Sequence, residues 1–91
     1  DRVGHVHLKD MRLAKVEEAR KSHWSFLQSV RNGCFTVPGD GDVNFDPVFK
    51  VLDEANYQGW ILVEAEQDPA LANPLEYAMM GRKYIREHTG L

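Results

Sequence analysis

Trp60-Ile61-Leu62-Val63-Glu64-Ala65 is an apolar run broken by a single carboxylate. Six residues is strand length, and an almost unalternating apolar composition suits a parallel strand covered on both faces. Far upstream stands a second candidate, Val3-Gly4-His5-Val6-His7-Leu8, short, partly alternating and stopped by Lys9-Asp10. Two strands joined by a long helical crossover run parallel, and a two-stranded parallel sheet does not stand alone. The expected architecture is therefore a fragment of an α/β barrel or open α/β sheet, with the other strands supplied from outside these residues.

The crossover reads as helix, helix, loop, helix. Residues 11–21 are charged helix formers with a thin apolar stripe of Leu13, Val16 and Ala19. Ser22 is the expected cap of a second helical piece carrying Phe26, Leu27 and Val30 on one face and ended by Asn32-Gly33. Residues 35–44, with Pro38-Gly39-Asp40-Gly41, read as a loop. Asp46-Pro47 predicts a helix start with the carboxylate as cap, and Val48, Val51, Leu52 and Ala55 predict its buried face. After the second strand, Asn73-Pro74-Leu75-Glu76 predicts a capped helix running to about residue 88, buried along Tyr77, Met80, Gly81 and Tyr84, with Gly90 as its stop.

Composition narrows the function. The chain is 43% apolar and 27% charged, as expected of a globular protein, with a net charge of −3 that offers no attraction for nucleic acid or an anionic membrane. No run approaches the roughly 18 apolar residues of a membrane span. Cys34 has no second cysteine to pair with and reads as a small buried residue, so the cytoplasm is the expected compartment.

Chemistry in parallel α/β architectures gathers at the C-terminal ends of strands. Side chains alternate across a strand, so His5 and His7 share a face with Val3, while Trp60, Leu62, Glu64 and Glu66 share one in the second strand. The opposite faces, with Val6, Leu8, Ile61 and Val63, suit packing beneath helices. His7 and Glu64 are then expected to point inward near the mouth, an imidazole and a carboxylate of the types that bind Mn, Fe, Co and Zn. The alternatives are a hydrogen-bonded core histidine and a carboxylate paired with a Lys or Arg from elsewhere. Lys9 and Asp10 leave the strand at the rim, placed to touch substrate or each other. His5 reads as lying one layer deeper, and His23 and His88 as exposed bystanders. A phosphate cradle at Gly39-Asp40-Gly41 is the weaker reading beside a simple chain reversal.

The stretches Gly-His-Val-His-Leu-Lys-Asp (4–10), Phe-Thr-Val-Pro-Gly-Asp-Gly (35–41), Val-Glu-Ala-Glu-Gln-Asp-Pro (63–69) and Asn-Pro-Leu-Glu-Tyr (73–77) together resemble the C-terminal part of the inosose dehydratase family. The resemblance runs along nearly the whole chain and is weakest over 11–21. Its His-x-Lys-Asp and Gly-x-Gly pieces are shared with the wider xylose isomerase-like barrels of sugar isomerases and epimerases. The resemblance implies a (β/α)8 TIM barrel, with residues 1–91 as the C-terminal part of its single domain, holding the last two βα units. It further implies a divalent metal, Mn or Co, held by a Glu, an Asp, a His and a Glu, of which His7 and Glu64 match the last two. The implied reaction removes water from 2-keto-myo-inositol, in myo-inositol breakdown, to give a trihydroxycyclohexane-dione. Glu64 would serve as both ligand and proton shuttle, with Lys9, Asp10 and Glu66 as substrate contacts. Glutathione is implied as a cofactor by the resemblance alone, with no residue here assigned to it. A homo-oligomer is compatible with these features. The rival readings are a sugar isomerase or epimerase of the same superfamily and a non-catalytic interaction domain.

Overall fold

The computed structural model describes residues 2–90. Strand β1, Val6–Leu8, pairs in parallel with β4, Ile61–Val63, in the register Val6–Ile61, His7–Leu62 and Leu8–Val63. Both are shorter than their apolar runs. The chain between them forms β2 (Asp10–Met11), α1 (Leu13–Ser22), α2 (Phe26–Arg31), β3 (Phe35–Thr36) and α3 (Asp46–Glu54), and α4 (Pro74–Thr89) follows β4.

Parity holds. Leu8 is buried with Phe45, Phe49 and Ile85, and Val6, Ile61 and Tyr84 pack against that cluster. Val63 also faces α4: a methyl group added at Gly81 would stand 3.3 Å from it. The helix-facing side of both strands is thus the one occupied by Val6, Leu8, Ile61 and Val63. The opposite side, with His7, Leu62 and Trp60, is open to solvent, Trp60 being 81% exposed. The expectation that β4 is covered on both faces therefore does not hold within this chain.

Several local expectations need correction. Ser22 closes α1, and Ser25 is the cap of α2, exchanging hydrogen bonds with Gln28 in a reciprocal capping box. Phe45 precedes the first residue of α3, so Asp46 is inside the helix; its carboxylate instead meets His88 Nδ1 at 2.8 Å. His88, also packed on the Tyr84 ring at 4.1 Å, ties α4 to α3 and is no bystander. The buried side of α3 is set by Phe45 and Phe49 with Leu52 half-buried, because the bulky rings reach the strands; Val48, Val51 and Ala55 lie open. On α4, Gly81 and Ile85 are buried, Tyr77 and Tyr84 half-buried, and Met80 exposed. Asn73 caps α4 as expected, accepting from Leu75 and Glu76, and Gly90 ends it in the left-handed region. Cys34 is buried.

The loop after β1 is more ordered than its composition suggests. β2 and β3 form a short antiparallel ladder that brings Asp10 opposite Thr36, both completely buried. Asp10 accepts backbone N–H bonds from Met11 (2.8 Å), Gly39 (3.1 Å), Gly41 (3.1 Å) and Val43 (2.9 Å). The loop wraps so tightly that a Cβ on Gly41 would collide with the Asp10 carboxylate. Gly39, at φ +96°, would drive one into the Tyr84 ring.

Candidate metal and proton-transfer site

His7 sits in the middle of β1, and Glu64 is the first residue beyond β4. The ladder continues past the strand end, because Glu64 N–H donates to Leu8 carbonyl at 2.9 Å. That bond fixes the Glu64 backbone beside β1 with its side chain on the side away from the helices. His7 Nδ1 and Glu64 Oε2 meet there at 3.0 Å. The His5 ring stands edge-on to His7 with centroids 4.9 Å apart; it is exposed, and not the deeper core residue expected.

Lys9 follows on the same side of β1. Its ammonium pairs with Glu66 Oε2 and lies 3.8 Å from Glu64 Oε1, and its charge stands 4.9 Å over the Phe35 ring. The hydrogen bond from His7, followed by the nearby Lys9 ammonium, holds Glu64 below the usual carboxylate range, so it is ionised at neutral pH.

Asp10 does not join this group. The expectation of a rim residue fails, because its oxygens are occupied by the four N–H groups of its own strand and the loop. The same contacts dispose of the phosphate cradle: the inward N–H groups of Gly39 and Gly41 already bind an anion, the Asp10 carboxylate. Sequence reasoning missed a neighbouring lock. Arg12 donates to Gly33 carbonyl (2.8 Å) and Asp40 (2.7 Å), Thr36 donates to Asp40 (2.7 Å), and Gln67 reaches Thr36 at 3.4 Å, tying the 33–40 segment to the chain beyond β4. The Arg12–Asp40 pair is separated by 28 residues, and no short-range signal announces it.

The profile of the xylose isomerase-like TIM barrel family matches residues 1–88. The chain belongs to that family. Its parallel β1–β4 pair, with α3 and α4 packed behind the strands, agrees with the C-terminal part of such a barrel. Among relatives, the inosose dehydratase of Clostridium perfringens is 67% identical over 91 residues, covering 100% of this chain and 31% of the relative. The inosose dehydratase of Clostridium beijerinckii is 64% identical over 90 residues, and that of Erwinia tasmaniensis 60% over 90; each alignment covers 99% of this chain and 30% of the relative. The chain thus spans about a third of these relatives' length. No helix among the described residues is long and apolar enough to cross a membrane.

The donors suit a divalent ion. Two neighbouring ligands at about 2.1 Å from a metal, at right angles, lie about 3.0 Å apart, which is the observed His7–Glu64 separation. Among the described residues no cluster of three or more such donors converges. A metal at this site would take His7 and Glu64 as two of its ligands and would need further donors from outside the described residues.

Proposed function

We propose that the protein containing this chain is a metal-dependent hydro-lyase that removes water from a polyhydroxylated cyclic ketone, 2-keto-myo-inositol. The observation that carries the reading is the 3.0 Å meeting of His7 and Glu64 on the open face of the sheet, in a chain 67% identical to an inosose dehydratase. His7 and Glu64 would hold a divalent ion, Mn or Co, together with carboxylates from the missing strands.

When bound, such an ion would polarise the ketone oxygen and so acidify the adjacent C–H. Glu64, kept ionised by its neighbours, would accept that proton, and the departing β-hydroxyl would leave as water on taking a proton from an acid outside these residues. Lys9 and Glu66 present an ammonium and a carboxylate at the strand ends, where the hydroxyls of a polyol would find both a donor and an acceptor. The cytoplasm is the expected compartment for such a reaction.

The test uses the full-length protein, stripped with a chelator and supplied with Mn²⁺ or Co²⁺. Metal-dependent conversion of 2-keto-myo-inositol to the dione is the expected result. Inertness toward this ketone, with isomerisation of ketohexoses, would replace dehydratase by isomerase.

A further inference from the structure

Glu64 and Glu66 lie two residues apart and project to the same side, so either carboxylate is a candidate to meet a cation. Both reach the Lys9 ammonium, but their closest partners differ. Glu64 Oε2 faces His7, whereas Glu66 Oε2 is buried against the Lys9 ammonium, which sits farther from Glu64, at 3.8 Å. Lys9 is itself held in place. The Phe35 ring lies beneath its charge, and the next residue, Asp10, is fastened to the 39–43 loop by three backbone hydrogen bonds.

We propose that Lys9 is a positioning residue that sequesters Glu66 from the metal, leaving Glu64 as the carboxylate of this chain that binds the ion. The inference rests on the metal site read above. An ammonium tethered beside Glu64 also repels an incoming dication, so the native arrangement gives up cation affinity to keep the ligand set defined. Removing the ammonium would free Glu66 to turn toward the ion and lift the repulsion. A residue that merely supported the strand end would behave oppositely, since its loss would loosen the site and weaken binding.

Mn²⁺ dissociation constants of the metal-free full-length protein, measured by competition with a chromogenic chelator, decide the matter. Lys9→Met is expected to bind Mn²⁺ at least about tenfold more tightly than wild type, Lys9→Arg within about twofold, and Lys9→Met/Glu66→Gln to lose most of the gain seen in Lys9→Met. Weaker or unchanged binding by folded Lys9→Met overturns the proposal. Should Lys9→Met not fold, Glu66→Gln answers alone: the released ammonium swings to Glu64 and Mn²⁺ binding weakens several-fold, and unchanged affinity overturns the proposal. If His7→Ala and Glu64→Ala each leave wild-type Mn²⁺ affinity intact, the metal reading itself falls, a result distinguishable from failure of the Lys9 proposal alone.

Discussion

Glu64 combines features that a purely structural carboxylate does not need: an imidazole at 3.0 Å, an ammonium at 3.8 Å, and a position just past a strand end. A half-exposed ion pair of this kind, screened by solvent, contributes little to stability. Glu64→Gln in the full-length protein should therefore leave the melting temperature of the metal-free form nearly unchanged. Turnover per folded molecule should fall by about 10²–10⁴-fold, because the amide keeps an oxygen but cannot carry a proton. A marked fall in melting temperature with normal turnover would instead mark a structural ion pair. A pH measurement separates the causes of its acidity. The folded-state value of Glu64 is depressed below the ordinary 4.5, so its contribution to stability is present above that pH and is lost as pH falls through the depressed value. Since His7 is the largest cause, His7→Ala should raise the Glu64 titration seen by ¹³C NMR and shrink this acid sensitivity. The pairing of His7 with Glu64 was legible from alternation alone, because a period of two leaves only two choices of face. The roles of Lys9 and Asp10 were not, since adjacent residues at a strand end part company as soon as the chain twists.

At the scale of elements, the loop after β1 is the least legible part of the chain and the most tightly built. Turn residues in 38–41 announce a reversal, but not that a buried carboxylate 29 to 33 residues upstream gathers the N–H groups of Gly39, Gly41 and Val43. Asp10→Asn keeps the size while replacing an oxygen acceptor by an N–H₂ donor that faces backbone donors. The substitution should cost about 3 kcal/mol in chemical denaturation of the full-length protein. A cost below about 1 kcal/mol would mean the loop is held elsewhere, the Arg12–Asp40 lock being the other contact able to do so. Helix ends were legible where the capping chemistry was unambiguous, as at Asn73 and Gly90. They slipped where two candidates stood close together, as with Ser22 and Ser25. On α3 the period was legible but its phase was not: Phe45 and Phe49 outcompete Val48 and Val51 for the strands because an aromatic ring buries more area per residue.

For the molecule as a whole, the missing strands dominate. The radius of gyration is 14.3 Å, against about 12 Å for a compact domain of this length. Among the described residues the cluster between strands and helices holds only Leu8, Phe45, Phe49 and Ile85 as buried side chains, while Trp60, Leu75, Met79 and Val51 are each more than 60% exposed. The 91-residue chain by itself should show no sharp, cooperative thermal transition as a monomer, and a sharp monomeric melt would contradict this. The fold class was legible because two parallel strands cannot close a sheet, whereas any further ligands of the proposed metal would lie beyond these residues. The central claim is that His7 and Glu64 meet the same ion. Anomalous diffraction at the manganese edge, on crystals of the full-length protein grown with Mn²⁺, tests it directly. The expected result is one peak about 2.0–2.3 Å from a His7 ring nitrogen and a Glu64 carboxylate oxygen; a bound Mn²⁺ with neither residue in its coordination sphere would contradict the account.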